Sequence, residues 1–599
     1  MRRVVLAPLA ALGLLSAIVW LGVAVPGMPA SAQTEPVTSP VPALTPPPPP
    51  APRTVSTPPA TVTPAAPASP GAVPPAAAAP ASASPQSDAS AAPSPSAIPA
   101  SPSPLEPGAF PSPTQPPIIV EPPGAGVQPG QALTLRVNAA FGTILATVAD
   151  PAVALVSADS GARTITVFGK AVGTTTVTVK DDRGLTRDVA VRVAYNAGAA
   201  AASTMLRITG DPATAQFVRE RAVAAAVAAA TVRPGSTATA SADAVALTKP
   251  LAIDNLVAVD VPLTISGDGY FTVSATTHVM IENVALPRIS PAMLLVSDYP
   301  ETLHANGVLF TATLERRNAQ RFLYYHYNPG TEPARRVLLK VQNTSPQPAL
   351  VQMISGSAGP ETNELQVGHL STQRFLVHEA NNEGEVIEIP GNGTINLVDH
   401  PLPPRDVISA LLQLREVDGN PLKLTLVAQD AKAPTDTPPE TTELLSGGAA
   451  HARGAYPVPE FYFDYLYPVD GADLEIPIGQ LPLPNLRKGE ALSGDYGVQQ
   501  SITVRIINNG RGAAPIALYA NPRGGRATGT FIIDRTLVQM HAAASFAKPK
   551  LWQASIAPHT FRTIQITTMP EGGSSYPLRL IFGPDDGSVA PGGPGSPVD

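Results

Sequence analysis

One phrase occurs twice in this chain, and it restricts the possible folds more than any other feature. Val337-Leu-Leu-Lys-Val-Gln-Asn343 alternates apolar and polar residues, Thr344-Ser-Pro-Gln-Pro348 supplies turn formers, and Ala349-Leu-Val-Gln-Met353 runs on as a second strand. Downstream, Ile502-Thr-Val-Arg-Ile-Ile-Asn508 ends in the same Asn, Asn509-Gly-Arg-Gly-Ala-Ala-Pro515 turns, and Ile516-Ala-Leu-Tyr519 returns. Period-two alternation marks strands buried on one face, and Gly, Pro and Asn between two such runs mark a turn. The second turn is longer by an even number of residues, which preserves the inward and outward phase of both strands. Each copy ends on a similar strand, Pro421-Leu-Lys-Leu-Thr-Leu-Val427 and Pro577-Leu-Arg-Leu-Ile-Phe582. We read a duplicated β-sandwich over 294–430 and 456–585, with Asn343 and Asn508 at equivalent strand ends and the two closing strands as counterparts.

A chain of 599 residues with 71 Pro and 47 Gly is too long for one domain and too rich in turn formers to be mostly helical. The expected class is mainly β: a multidomain chain of tandem Ig-like β-sandwiches with one small α/β module, after a disordered Pro-rich stalk. A formal charge of -7, from 39 basic and 46 acidic residues, leaves no concentrated basic surface, so nucleic acid is not an expected partner. With no Cys, disulfides, thiol nucleophiles, iron–sulfur clusters and Cys-based zinc sites are excluded together.

The N-terminus points to export. Arg2 and Arg3 precede an apolar run from Val4 to Val25, and Ala30-Ser31-Ala32 has the small-residue pattern of a cleavage site, so 1–32 reads as a signal peptide. The apolar run is also long enough to span a bilayer, and an uncleaved anchor is the alternative. The expected location is extracytoplasmic, in the periplasm, on the cell surface or secreted, with membrane contact only through this segment. Residues 33–117 are nearly all Pro, Ala, Ser and Thr, too poor in large apolar groups to offset the entropy of ordering, and read as a disordered linker. A short disordered tail is expected at 586–599, and a Pro, Thr and Gly-rich linker at 431–455.

Short strands fill 118–196, among them Ala132-Leu-Thr-Leu-Arg-Val137, Thr174-Thr-Thr-Val-Thr-Val179 and Asp188-Val-Ala-Val-Arg-Val193. The stretch Gly169-Lys-Ala-Val-Gly-Thr-Thr-Thr-Val-Thr-Val-Lys-Asp181, followed by Asp182-Arg-Gly184 and a last strand, resembles bacterial Ig-like group 2 domains and the related N-terminal domain of pilus-assembly secretins. That resemblance implies an extracytoplasmic structural or adhesive module without catalytic residues. The repeated strand–Asn–turn–strand phrase is similar to Ig-like modules of bacterial surface proteins. Residues 197–293 read as the α/β module, with the one expected helix running from Ala213 to about Thr231, Asp211 as its cap and Pro212 at its first position. A hairpin around Ser266-Gly-Asp-Gly269 completes it.

Candidate binding residues are few. Each sandwich has an aromatic strand near its start, Phe322-Leu-Tyr-Tyr-His-Tyr327 and Phe461-Tyr-Phe-Asp-Tyr-Leu-Tyr467. In the second, Phe461, Phe463, Tyr465 and Tyr467 share one face, which would stack sugar rings if exposed and fill a core if buried. Arg523 and Arg526 flank two Gly and would grip a carboxylate or phosphate, or stand in solvent as an ordinary loop. Asp181 with Asp182, Asp470 with Asp473, and Asp585 with Asp586 offer oxygen ligands of the kind calcium takes, without a calcium-loop pattern. His326 with Asp298 and His304 is the nearest approach to a ligand cluster in the sequence. Ser545-Phe-Ala-Lys548 matches a Ser-x-x-Lys pattern but lacks its companion motifs. No catalytic residue, cofactor site or metal site is assigned. The expected function is that of an exported, non-enzymatic envelope or surface protein with a structural or adhesive role, binding a cell-wall glycan or an envelope protein. An accessory of a pilus or secretion assembly is the alternative, as is a carbohydrate-binding or carbohydrate-active protein.

Overall fold

A computed structural model describes residues 115–588. The expected signal peptide or anchor, all of the linker but its last few residues, and the end of the tail lie outside the described residues.

In the first module, strands Ile119–Glu121, Ala132–Asn138, Thr164–Gly169 and Ala154–Asp159 make one sheet, and Gly124–Val127, Thr186–Val193, Gly173–Lys180 and Leu145–Val148 make the other. Leu135, Val137, Ile165, Val167, Val177, Val179, Val189 and Val191 are buried between them, each two residues from its neighbour on the same strand. The alternation legible in the sequence is thus the inward face of a two-layer sandwich.

The α/β module keeps its expected parts but shifts its helix. Helix α1 spans Ala215–Ala229 and is capped by Thr214, whose hydroxyl accepts the Phe217 N–H at 3.3 Å. The cap expected at Asp211 fails because the chain is still extended beyond it: Ala213 exchanges both backbone hydrogen bonds with Leu251, at 3.0 and 2.8 Å. Phe217, Val218, Ala222 and Ala226 form the stripe that α1 buries. The hairpin of Leu256–Gly267 and Val273–Asn283 turns through Gly269 at φ +83°, a left-handed conformation that favours Gly.

The boundary expected at 293 falls within continuous structure. One ten-stranded sheet runs in the order Ser236–Ala240, Leu256–Gly267, Val273–Asn283, Ser203–Thr209, Gly384–Ile389, Ala349–Glu361, Val407–Asp418, Ala319–Tyr327, Met293–Ser297 and Arg453–Tyr456. Its α/β part joins its sandwich part where Arg207 pairs with Val386. An unpaired strand edge leaves N–H and C=O groups without partners, and the Gly384–Ile389 strand covers that edge over Arg207, Ile208 and Thr209. Residues 431–455, expected as a linker, are likewise packed down. Lys340 donates to the Thr437 carbonyl at 2.8 Å, Leu445 donates to Val308 at 2.7 Å, and Arg453–Tyr456 is the last strand of the large sheet.

Facing this sheet is a second one, ordered Gly307–Leu314, Leu422–Asp430, Arg335–Gln342 and Thr394–Leu402. Phe322, Tyr324, Val337, Leu339, Leu412 and Leu424 fill the space between. The second sandwich pairs a sheet of Glu460–Pro468, Gln499–Asn508, Thr560–Thr568, Ala527–Ile533 and Thr536–Ala543 with one of Leu474–Ile478, Leu578–Pro584, Ala514–Pro522 and Lys550–Ile556. The repeated strands occupy separate sheets, Val337 in one and Ile502 in another.

The two Asn corners match bond for bond. The Asn343 amide donates to Gln347 O at 2.8 Å and Ile389 O at 3.3 Å and accepts the Ser345 N–H at 2.9 Å. Asn508 donates to Gly512 O and Ile556 O, both at 2.8 Å, and accepts the Gly510 N–H at 2.9 Å. The closing strands do not match. Leu422–Asp430 pairs with the Val337 strand, whereas Leu578–Pro584 pairs with the Ile516 strand and so occupies the place of Val407–Asp418. Nor are the aromatic strands counterparts: Ala319–Tyr327 borders Val407–Asp418, while Glu460–Pro468 runs parallel to the Ile502 strand.

A second helix, absent from the sequence reading, interrupts the first sandwich. Helix α2 spans Glu364–Ala380, and Asn363 caps it by accepting the Gln366 N–H at 3.3 Å. Its buried face mixes Val367, Phe375 and Leu376 with Gly368, His369, Ser371 and Thr372, which break up the apolar stripe. Among the described residues no helix is long and apolar enough to cross a membrane.

Candidate functional site

The polar groups most worth explaining collect where the two sandwiches meet. The base of this seam is apolar: Leu294, Val296, Leu323, Phe375 and Leu411 of the first sandwich pack with Val498, Ile532 and Met569 of the second. Close approach depends on Gly at the contact, Gly368 above all. A Cβ added at Gly368 of α2 would lie 1.6 Å from the Gly572 carbonyl oxygen, so only Gly lets that loop rest on the helix. Beside it, the fully buried Glu571 carboxylate takes hydrogen bonds from Thr530 at 2.7 Å and from Thr528, and pairs with His369 Nδ1 of α2 at 3.0 Å. Arg321 is also fully buried and donates across the seam to Pro459 O at 2.7 Å and to Glu460 at 3.0 Å. Burial pulls its guanidinium below the usual Arg range, and Glu460 opposes that pull.

At the rim of the seam lies a cluster of ligand-type side chains. His451 Nδ1 is 3.3 Å from Asp298 Oδ2, His451 Nε2 is 3.1 Å from Glu301 Oε2, and the three groups place one ligand atom each within 4.8 Å of one another. Backbone pairing brings them together. Ser297 pairs with Arg453, and the Asp298 N–H donates to Ala452 O at 3.0 Å, which sets His451 beside the 298–301 turn. Burial pushes the Asp298 carboxyl up to about 6 and the Glu301 carboxyl upward, while the Asp298 hydrogen bond raises His451. Asp298 Oδ1 and the Tyr325 hydroxyl are buried here without a hydrogen-bond partner.

This is not the cluster suggested by the sequence. His326 points to the opposite face of its strand, 3.2 Å from Ser297 Oγ and 3.0 Å from Pro300 O, and burial lowers it to about 4. His304 pairs with Glu332 at 3.4 Å. Nothing in local spacing signals the partnership of Asp298 with His451; it follows from strand register alone.

The remaining candidates are dispersed. Phe461, Phe463 and Tyr465 are half-buried and Tyr467 is buried, all turned to the inner side of their strand, while Tyr462 and Leu466 face solvent. The aromatic face therefore packs inward instead of forming an exposed ladder. Arg523 and Arg526 are exposed; Arg523 lies over the Phe546 ring at 5.1 Å, and its backbone N–H donates to Pro577 O at 2.9 Å. Of the Asp pairs, Asp181 accepts the N–H groups of Phe141, Arg183 and Leu185 and pairs with Arg183, and Asp585 holds the buried Lys550 ammonium. Asp470 and Asp473 stand in solvent, as do Ser545 and Lys548.

Comparison with known proteins places one part of the chain. No curated protein matches it in sequence. Among solved structures, it is similar to Drosophila N-cadherin EC1-4 at 15% identity and TM-score 0.12, covering 28% of this chain and 50% of that one. A structure of carbohydrate-binding modules from the β-sandwich superfamily matches at 12% identity and TM-score 0.12, covering 52% of this chain and 97% of that one. A Bacteroides ovatus protein described as SGBP-B of a mixed-linkage glucan utilization locus matches at 9% identity and TM-score 0.10, covering 48% and 70%. The chain spans 50% and 64% of the two cadherin structures that lead these matches. Residues 125–194 match the family described as the pilus formation protein N terminal region. That match and the motif from Gly169 to Gly184 point to the same family for this one domain.

Proposed function

We propose that this chain is an exported, non-enzymatic envelope protein that serves a pilus or secretion assembly, with the 118–194 domain as its docking module and the fused sandwiches as the body it positions. The observation that carries the reading is the family match at 125–194, which falls on a complete two-sheet sandwich. Its inward positions are filled by side chains, so such a domain works through its surface. Affinity purification of the tagged full chain from envelope membranes is expected to bring down pilus or secretion subunits, and a chain lacking 115–194 is expected to lose them. Equal recovery with both chains, or with neither, contradicts the reading.

An adhesive role rests on a different surface. On the outer face of the second sandwich, Tyr462 and Leu466 are exposed, and the Arg505 guanidinium lies 4.0 Å from the centre of the exposed Phe561 ring. Flat apolar groups beside a cation suit a sugar face. Retention on isolated cell-wall glycan that disappears in Tyr462→Ala with Phe561→Ala would support this role, and equal retention would remove it.

A further inference from the structure

We propose that Asp298, Glu301 and His451 form a binding site for a first-row divalent cation of the zinc class, at the joint where the chain passes from the first sandwich to the second.

The donor set is an imidazole and two carboxylates, which together neutralise a doubly charged ion and leave a coordination position for water. One ligand atom from each residue lies within 4.8 Å of the other two, close enough for small side-chain rotations to gather all three on one ion with bonds of about 2.0–2.1 Å. Only one imidazole nitrogen would ligate, so the carboxylate that now faces the other nitrogen would turn its free oxygen to the ion. An all-oxygen shell would favour calcium or magnesium, whereas the imidazole favours zinc and its neighbours.

A bare ion pair, with protonated His451 between two carboxylates, is the competing account. It leaves two buried groups unexplained. Asp298 Oδ1 has no partner, and neither has the hydroxyl of Tyr325, whose residue is only 6% exposed. Tyr325 sits on the strand beside Met293–Ser297, where the parallel pairing of Ser297 with Tyr324 puts Asp298 and Tyr325 on the same side of the sheet. Burial above all, and then the Glu364, Glu301 and Asp298 carboxylates, oppose ionisation of Tyr325. A cation would take the Asp298 oxygen, and its bound water would give the Tyr325 hydroxyl a partner. Side-chain exposures of 26–35% at the three ligands leave a path from solvent. The ion would fasten the 298–301 turn to residue 451, and so the first sandwich to the segment that leads into the second.

The test is calorimetric titration of the chelator-treated full chain with zinc chloride near neutral pH. One ion per chain is expected, with proton release from His451, and weaker uptake in mildly acidic buffer. Glu301→Gln and His451→Ala are each expected to weaken binding by about tenfold or more, and calcium is not expected to compete. Thermal melts verify that the variants fold. Should His451→Ala fail to fold, Glu301→Gln carries the test alone, because its side chain lies at the solvent edge. No uptake by the wild type, unchanged affinity in Glu301→Gln, or displacement of zinc by calcium would overturn the proposal.

Discussion

Asn343 and Asn508 make the same three bonds, yet the sandwiches built around them close in different ways. Beside the Val337 strand the neighbouring place is taken by Leu422–Asp430, the last strand of its copy and antiparallel. Beside the Ile502 strand it is taken by Glu460–Pro468, the first strand of its copy and parallel. The corner is a local device: an Asn side chain completes a turn and ties it to a carbonyl on a strand of the facing sheet. Strand order is not local. Pro421-Leu-Lys-Leu and Pro577-Leu-Arg-Leu share a pattern because any strand with one buried face needs inward Leu at every second residue, whichever neighbours it has.

The comparison breaks most severely at Gly368, which belongs to a helix that only the first sandwich contains. Gly368→Ala places a methyl 1.6 Å from a backbone oxygen of the second sandwich, so the cost is expected to reach or exceed the ~1–3 kcal/mol usual for overpacking. Thermal denaturation measures it, and an unchanged melting temperature would mean that the seam is not packed. Next, Asn343→Ala and Asn508→Ala each strip one buried strand carbonyl, one turn carbonyl and one N–H of their partner. Each is expected to cost about 1–3 kcal/mol in denaturant titrations. Similar losses would sharpen the equivalence, and a large loss at only one corner would break it.

The loops that enter the repeated strands differ in charge. Glu332 pairs with Arg335 at 3.0 Å, whereas Asp495 is buried and its Oδ1 is unpartnered. Burial pushes Asp495 up to about 7 from an ordinary 3.8. Between those values the folded state binds more protons than the unfolded chain, so this residue makes stability fall as pH rises from about 4 to about 7. Asp495→Asn removes the charge and is expected to stabilise the protein by on the order of 1 kcal/mol above that window, with the gain vanishing below it. Melting temperatures of both proteins across pH check the sign; a gain that grows at low pH would contradict it. The smallest effect is expected at the exposed turn of the second sandwich, where Arg523→Ala with Arg526→Ala should change stability by no more than ~0.5 kcal/mol. A larger loss would show that the Arg523 contact with Phe546 braces the loop.

Much of this was legible in the sequence wherever one face of a strand is buried. The first sandwich domain, the α/β hairpin and both Asn corners follow from alternation and turn residues. Helix α2 was hidden because Gly368, His369, Ser371 and Thr372 interrupt Val367, Phe375 and Leu376 on its buried face, although Asn363 followed by Glu364 is a start signal. The continuous sheet was hidden because Arg207 and Val386 meet through backbone groups that every residue carries. For the candidate site, the shared face of Phe461 to Tyr467 was visible but its direction was not. The convergence of Asp298 and His451 depends on the register of Ser297 with Arg453, which no short motif encodes.

The claim that the two sandwiches form one body, positioned as a unit by the domain that precedes them, is tested most directly by native-state hydrogen exchange. Peptides from Arg335–Gln342 and Ala349–Glu361 should open with the same free energy as peptides from Gln499–Asn508 and Ala514–Pro522, because elements sharing a packed seam unfold as one cooperative unit. Gly368→Ala should lower protection in both sets together. Distinct opening free energies in the wild type, or a loss confined to the first set in the variant, would show two independent domains and contradict the account.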